Sequence, residues 1–304
     1  MTCFGRRTTD RRWSCDRALP VVSMTAVVLA LSASMIFGTS DFLGGTVTRR
    51  IPLTTVLLLS QVAALLVLLP DALRGGLDPS APGVLAWGVA AGVASAIAIG
   101  SLFQALASGT MGVVAPISAL GVLVPVAAGL MDGDRFSVAL AVGLAVAVVG
   151  SVLTTGPELR QGDGPRVSRR PIVLAVVAAA GFGSANLCLA RGSAVDLSTT
   201  VTVSAVTSLV VYAAAALALR RAPVLRARDL PLVLAIGLLS IAGMVLLAAA
   251  TRAGALSVVA VLATLYPAVT AALGWRFLGE RLRQIQVVGV VAVFLGVAVV
   301  AGSS

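Results

Sequence analysis

The chain contains no histidine and no lysine, so each of its 22 basic residues is an arginine. These absences exclude a histidine metal site, a histidine proton relay and a lysine Schiff base. The three cysteines, Cys3, Cys15 and Cys188, have the spacing of neither metal ligands nor a disulfide framework. Cys188 lies in an apolar run, where we expect a buried side chain rather than a reactive thiol. We therefore expect no metal and no cofactor.

Charge of either sign is also scarce. Charged residues make up 11% of the chain, hydrophobic residues 59%, and the mean hydropathy is +1.05. A soluble domain carries roughly a quarter charged residues, so this apolar surface requires lipid as its solvent. The formal charge of +10 does not indicate a nucleic-acid partner, because the arginines lie in the N-terminal tail and in short loops between apolar runs.

Apolar segments follow one another along the chain, each near the roughly 20 residues that a helix needs to cross the hydrocarbon core. Their approximate bounds are 24–46, 53–70, 82–105, 110–131, 136–155, 171–190, 198–219, 229–250, 255–275 and 284–302. A membrane barrel would show short alternating strands instead of these continuous runs. The sequence predicts an all-α integral membrane protein with ten transmembrane helices.

Two polar stretches organise the chain. Residues 1–23 form an N-terminal tail, and residues 156–170 link a first five-helix half, 24–155, to a second, 171–304. Arg11-Arg12 is similar to a twin-arginine export signal, but no cleavage-like site follows it. We expect the tail to be a solvated cytosolic extension, or translation to start at Met24.

The two halves match each other in sequence. An offset of 145 aligns Phe37-Gly38-Thr39-Ser40-Asp41 with Phe182-Gly183-Ser184-Ala185-Asn186. In the fourth helix of each half, an offset of 142 aligns Gly112 and Pro125 with Gly254 and Pro267. After a four-residue insertion, an offset of 146 aligns Gly133-Asp134-Arg135 with Gly279-Glu280-Arg281, and Gly143, Gly150 and Gly156 with Gly289, Gly296 and Gly302. The ordered series indicates an internal duplication.

An odd number of spans in each half has a geometric consequence. If the first half starts on one side of the membrane, the second starts on the other, and the halves become inverted copies related by an axis in the membrane plane. Such copies can exchange two packings and so convert an inward-open state into an outward-open state. The pattern predicts alternating access.

Two stretches resemble a known family. They are FGTSDFLGG, from Phe37 to Gly45, and ALSVVAVLATLYPAVTAALGWRFLGERL, from Ala255 to Leu282. Each half resembles an EamA domain of the drug/metabolite transporter (DMT) superfamily, and the resemblance covers residues 24–303. The first half departs from the pattern at MDGDRFS, Met131 to Ser137. The resemblance implies a ten-helix inverted-repeat fold, secondary transport without ATP, a central cavity beside Tyr266-Pro267, and cytoplasmic termini.

Asp41 is the one acidic residue well inside a predicted span. Intramembrane carboxylates are costly and usually face a bundle interior or an aqueous cavity, so Asp41 is a candidate to carry a coupling proton or to contact a cationic solute. The alternative is a role in interfacial capping and packing, with Arg49 and Arg50 as partners. Together with other polar residues of the spans, the candidates for the substrate pathway are Asp41, Ser40, Thr39, Asn186, Gln104, Ser118 and Tyr266.

Small residues and prolines predict how the helices pack. Four-residue spacing in the third helix (Gly88, Gly92, Ala96, Gly100) and the pairs Gly143/Gly150 and Gly289/Gly296 predict close helix contacts. Pro116, Pro125 and Pro267 are candidate kinks. We interpret Asp134-Arg135 and Glu280-Arg281 as interfacial anchors and helix N-caps rather than as catalytic groups.

The arginines conflict with the orientation that the resemblance implies. With a cytoplasmic N-terminus, the loops outside the cell would hold thirteen arginines and the inside nine, five of them in the tail. Positively charged loops usually stay inside.

We interpret the chain as a secondary transporter in a bacterial cell membrane, and as an exporter of a small metabolite or drug-like solute. The alternative is a membrane-embedded assembly or interaction subunit without transport activity. A membrane-embedded enzyme would require several convergent polar residues within the spans, and only Asp41 is present, so we expect no enzyme. None of these patterns fixes the oligomeric state.

Overall fold

The computed structural model describes residues 24–74, 83–131, 138–159, 169–219, 227–253, 262, 265–280 and 284–303. Within these ranges the chain is almost entirely helical and contains no β-strand. The predicted all-α class is therefore confirmed for the described chain. A helix pairs its interior backbone polar groups within its own segment, which is why long apolar runs adopt it in lipid.

The described ranges contain eleven α-helices. Their bounds are α1 Met24–Thr48, α2 Leu53–Arg74, α3 Val84–Ser108, α4 Met111–Ala119, α5 Leu123–Met131, α6 Val138–Leu159, α7 Arg170–Ser193, α8 Leu197–Ala218, α9 Leu230–Ala253, α10 Tyr266–Leu278 and α11 Gln284–Ser303. Short 3₁₀ turns span Leu120–Val122, between α4 and α5, and Ala227–Asp229, before α9.

The fourth apolar segment is interrupted just before Pro125, whereas Pro116 lies inside α4. Pro125 has no N–H to donate to the carbonyl of Gly121, and the helix tightens into the 3₁₀ turn between α4 and α5. Pro267 has a different position. It lies in the first turn of α10, where a missing N–H costs nothing. Pro125 therefore follows a break in its segment, whereas Pro267 helps to begin a helix.

Five described helices are long and apolar enough to cross a membrane: α1, α3, α7, α8 and the stretch Ala227–Leu247 that contains most of α9. Shorter apolar stretches occur in α2, α4, α6 and α11. Large aliphatic side chains point outwards along these helices, and they include Leu66, Val152, Val210 and Leu295. An outer surface of this kind suits hydrocarbon rather than water.

Corresponding helices of the two halves run in opposite directions. α1 and α3 run the same way, because Gly45 near the end of α1 packs against Leu106 near the end of α3. α7 runs against α3, because Pro171 at its start packs against Gly109, which follows α3. α1 and α7, the first helices of the two halves, are therefore antiparallel, as an inverted repeat requires.

Most of the described arginines lie at one end of the bundle, where α1 and α3 terminate. We call it the arginine-rich end, and it carries Arg49, Arg50, Arg169, Arg170, Arg228 and Arg276. The opposite end of the described bundle carries Arg74, Arg191 and Arg252, and the Arg191 guanidinium lies 5.6 Å from the ring centroid of Trp87.

The last helices of the halves meet in a close seam, which we call the glycine seam. Gly150 of α6 packs against Gly289 and Val293 of α11, and Gly296 of α11 packs against Gly143 and Ala147 of α6. The two sets of contacts are equivalent at the offset of 146, so each half supplies the same face. The predicted packing role of these glycines agrees with the structure.

The small residues of α3 pack against α8. Gly88 packs against Val203 and Gly92 packs against Thr207, while the Ser208 hydroxyl donates a 2.9 Å hydrogen bond to the Gly92 carbonyl. Gly100 has more room, because a Cβ atom there would meet only the Leu57 side chain at 3.6 Å. The stripe is therefore a packing surface between the halves, tight in its first part and loose at Gly100.

The structure corrects one part of the sequence alignment. Gly38 packs against Tyr266 and Val269, and its repeat equivalent Gly183 packs against Gly121 and Val124. The matched positions are Gly38 and Gly183, Gly121 and Tyr266, and Val124 and Val269, and each pair differs by 145 residues. The fourth and ninth segments are therefore equivalent at 145, and the offset of 142 was wrong by about one helical turn. The offset of 142 was based on matching a glycine and a proline in each segment, but Pro125 and Pro267 occupy different places in their helices.

Candidate functional site

The site lies on the inner side of α1, between the two halves. Phe37 packs against Gly243 of α9, and Gly38 packs against Val269 of α10. Residues three and four apart share one side of a helix, so Asp41 projects between these two contacts. Asp41 is half-buried and faces the region enclosed by α1, α9 and α10. The carboxyl group thus points into the protein rather than at the lipid.

Asp41 makes no hydrogen bond or ion pair with the described part of the chain. Its predicted interfacial partners are engaged elsewhere or exposed. The Arg49 guanidinium donates a 3.1 Å hydrogen bond to the Leu106 carbonyl, and Arg50 projects outwards. Neither arginine therefore pairs with Asp41 in this structure.

Two aromatic rings lie near Asp41. The rings of Phe37 and Tyr266 stack edge to face, with centroids 6.3 Å apart and planes at 64°. The Tyr266 phenol is close enough to the Asp41 carboxyl to interact with it electrostatically. A carboxylate beside aromatic faces can attract a cation by charge and by the ring quadrupole. Of the predicted pathway residues, Tyr266 is the one that the structure brings to Asp41.

Ser40 and Thr39 have packing roles. Ser40 is buried and its hydroxyl donates a 3.1 Å hydrogen bond to the Ile236 carbonyl, while it also shares a 3.0 Å hydrogen bond with the Ser240 hydroxyl. Thr39 donates back to the Met35 carbonyl of its own helix at 2.7 Å. The Ser40 hydroxyl joins α1 to α9, and the Thr39 hydroxyl bonds to a backbone carbonyl within α1.

The three remaining candidates lie apart from this cluster. Ser118 is buried and donates to the Ala115 carbonyl within α4, at 2.7 Å. Gln104 is half-buried on α3, and Asn186, the repeat mate of Asp41, is exposed on α7. None of the three is hydrogen-bonded to Asp41 or Tyr266.

Two residues near the site were missed by sequence reasoning. Phe37 belongs to the stretch that resembles the family, and its position four residues before Asp41 would have placed it on the same side of the helix. Thr270 lies in the second of the stretches that resemble the family, but nothing in the sequence set it apart from the other residues there. Its hydroxyl donates a 3.1 Å hydrogen bond to the Gly38 carbonyl, which fixes α10 against α1 beside the site.

A separate cavity of about 250 Å³ lies between α2 and α8. It is lined by Val62, Leu65, Leu66, Leu68, Thr202, Val206 and Leu209. Leu66 and Val206 are largely exposed on the outer surface of the bundle. The cavity is an apolar recess open towards lipid, and it contains no group that could recognise a charged solute.

Glu280 makes an unexpected contact between the halves. Gly279 ends α10 with a left-handed φ of 66°, a conformation that glycine adopts without strain. The chain turns there, and the Glu280 carboxylate accepts hydrogen bonds from the backbone N–H groups of Met111 at 2.9 Å and Gly112 at 3.1 Å. Glu280 caps a helix as predicted, but the helix is α4 of the other half. Asp134, Arg135 and Arg281 lie outside the described residues.

Nothing in the described chain gathers three or more potential metal ligands in one place. Cys188 is a free, half-buried thiol on α7.

Comparisons with known proteins follow the same division into halves. The model of the EamA-like transporter family matches residues 24–156 and again residues 169–302. The chain is also similar to a solved structure whose title is "Crystal structure of protein", with a TM-score of 0.60 and 16% sequence identity. The similarity covers 90% of this chain and 96% of that chain. That likeness concerns the fold alone. No curated protein sequence matches the chain.

Proposed function

The chain belongs to the EamA-like transporter family of the DMT superfamily, and we propose that it is a secondary transporter that exports a small solute by alternating access. Ten membrane spans carry this activity in our proposal. α4 and α5 together form the fourth, and the ninth ends in α10. Export is the direction that we propose.

One observation carries the proposal: the two halves are antiparallel copies with equivalent contacts. The glycine seam repeats its own contacts at one offset, and Gly38 and Gly183 make equivalent contacts at another. Two equivalent halves in opposite orientations can exchange their packings, and that exchange moves the opening of a central cavity from one side of the membrane to the other. An assembly subunit has no comparable need for such symmetry.

We place the solute at Asp41, Phe37 and Tyr266. A carboxyl group inside a lipid-embedded bundle is costly unless it binds a cation or a proton. The adjacent aromatic rings favour an organic cation, such as a protonated amine with an apolar body, because the ring faces add to the attraction of the carboxylate. A proton could replace this cation at the same carboxyl group and supply the coupling.

The arginines support an orientation with the arginine-rich end in the cytoplasm. Six of the nine arginines in the described ranges lie at that end, and positively charged loops usually remain inside. α1 begins and α11 finishes at the opposite end, so in this proposal residues 24 and 303 face away from the cytoplasm. The family resemblance implies the reverse, and the charge distribution of this chain is our reason to depart from it.

The test begins with a thermal-stability screen of the detergent-purified protein against organic amines, neutral metabolites and anionic metabolites. We expect amines to raise the melting temperature, and the hits to cross only those liposomes that contain the protein. Hits confined to anions would contradict the proposed site. Specific binding without flux in either direction would favour the assembly-subunit alternative and direct the search to co-purifying partners.

A further inference from the structure

Met111 lies between the level of the proposed solute site and the arginine-rich end. Its side chain is fully buried at the start of α4 and lies between Gly45 of α1 and Gly274 of α10. Gly45 is four residues after Asp41, so Met111 sits about one helical turn beyond the carboxyl group on the way to that end. Met111 is therefore placed to act as a plug between the site and the arginine-rich end.

Glu280 holds the turn of helix that carries this plug. Its carboxylate accepts from the N–H groups of Met111 and Gly112, two of the donors that the start of a helix leaves without intrahelical partners. Hydrogen bonds to an ionised acceptor are stronger than neutral ones, and a negative charge is favoured at a helix N-terminus. The contact joins residues 169 positions apart that belong to opposite halves.

We propose that Glu280 is the positioning residue that keeps the path from Asp41 to the arginine-rich end closed, and that its release from α4 opens this path during transport. The inference rests on the proposed transport function. Loss of the two hydrogen bonds frees the first turn of α4, and Met111 can then leave Gly45 and Gly274. α4 and α10 come from different halves, so this contact must break if the halves separate at this end.

Asp196 provides a matched control within the same chain. Its carboxylate also caps a helix, accepting a 2.6 Å hydrogen bond from the Thr199 N–H at the start of α8. That cap is local, three residues away, and lies at the opposite end of the bundle. Loss of Asp196 should weaken a helix end without changing access to Met111.

The experiment measures access to Met111 directly and needs no solute. Met111→Cys serves as the single thiol after Cys3→Ser, Cys15→Ser and Cys188→Ala, and the protein is placed in nanodiscs so that both ends are open to a membrane-impermeant maleimide. We expect slow labelling with Glu280 intact. Glu280→Ala should label on the order of tenfold faster, as expected for loss of a charged helix cap. Glu280→Gln, which keeps an acceptor but not the charge, should be intermediate, and Asp196→Ala should match the parent.

Equal labelling rates in the parent and both Glu280 variants, with all proteins monodisperse and cooperatively unfolding, would overturn the proposal. Faster labelling in Asp196→Ala as well would reduce the effect to general destabilisation and would also overturn it. If Glu280→Ala does not fold, Glu280→Gln carries the comparison alone. Because labelling requires no transport, a failure of the flux assays leaves this result intact, and the two failures are distinguishable.

A disulfide between the two sides gives a second readout. A Cβ atom at Gly274 would lie 2.9 Å from Cβ of Met111, so a separation of about 1 Å brings Met111→Cys and Gly274→Cys into disulfide range. We expect the oxidised pair to arrest the flux of any amine identified in the screen, and reduction to restore it. Undiminished flux through the oxidised pair would show that this end does not open.

Discussion

The carboxylates of Asp41, Asp196 and Glu280 differ in what donates to them. Asp196 accepts from the residue three positions ahead, Glu280 accepts from the opposite half, and Asp41 has no donor among the described residues. The same side-chain chemistry therefore fixes a helix end locally, joins two halves, or remains available to a ligand. The contacts, rather than the residue type, separate these three roles.

Replacing Asp41 tests the proposed site. We expect Asp41→Asn to fold but to lose flux driven by a pH gradient and to bind amine hits at least about tenfold more weakly, because the amide can neither ionise nor hold a proton. Binding from thermal-shift titrations and flux in liposomes check both expectations. Asn186→Ala, at the exposed repeat mate on α7, is the control and should behave like the parent. Unchanged pH-driven flux in Asp41→Asn would exclude a coupling role.

Asp196 should make stability depend on pH in the acid range. Hydrogen bonds that it accepts from the Thr199 hydroxyl and backbone N–H lower the pKa of this carboxyl in the folded protein. A depressed folded pKa means that the stabilisation is complete above the unfolded value of about 4 and is lost as the pH falls through the lower folded value.

We therefore expect Asp196→Ala to melt below the parent at pH 6, and the gap to close as the pH falls below about 4. Thermal unfolding in detergent between pH 3 and pH 7 measures it. Asp196→Asn keeps a good capping side chain without the titrating group, so it should stay near the parent at pH 6 and lose the acid dependence. If the difference in melting temperature between Asp196→Ala and the parent is unchanged at pH 3, the ionised helix cap is not its source.

At the scale of the elements, the glycine seam depends on the absence of side chains. A Cβ atom at Gly150 would lie 2.6 Å from the Val293 backbone N and 2.7 Å from the Gly289 carbonyl O. Neither backbone atom can move aside without shifting α11. We expect Gly150→Ala to lower the free energy of unfolding by about 1–3 kcal/mol, the usual cost of overpacking.

Gly100→Ala is the matched control for the seam, since its new methyl group would meet only the Leu57 side chain at an ordinary distance. Alanine also has a higher helix propensity than glycine by about 1 kcal/mol, so this variant should keep or raise the stability. Unfolding of both variants in the same detergent, followed by tryptophan fluorescence, makes the comparison. Equal effects at the two positions would mean that the seam is loosely packed.

The bounds of most elements could be predicted from hydropathy, because an apolar run in lipid has no alternative to a helix. The break between α4 and α5 was foreseeable only as a kink at proline. The alignment of the fourth and ninth segments failed, since a matching proline does not reveal its place within a helix. Phe37 and Tyr266 lay in the stretches that resemble the family, whereas the partner of Glu280 was unpredictable because it is 169 residues away.

At the scale of the whole molecule, the arginine-rich end predicts the orientation. We expect alkaline phosphatase fused after Ser304 to be active in a bacterial host and green fluorescent protein fused there to be dark, because the C-terminus of α11 lies opposite that end. Fusions after Gly156, at the arginine-rich end, should show the reverse pattern and serve as the internal control. A fluorescent C-terminal fusion would restore the orientation that the family resemblance implies.

The glycine seam has a further consequence. The two halves contact each other through the same face, and they do so in opposite orientations. An interface in which both partners use the same face is called isologous when it joins two subunits. One half alone therefore carries both surfaces that the seam requires, and two separate copies could form it if one were inserted upside down. The full chain is equivalent to such an antiparallel pair joined covalently. Because the two halves are joined in one chain, every molecule contains one half in each orientation. Separate subunits would reach this ratio only if equal numbers were inserted into the membrane in each orientation.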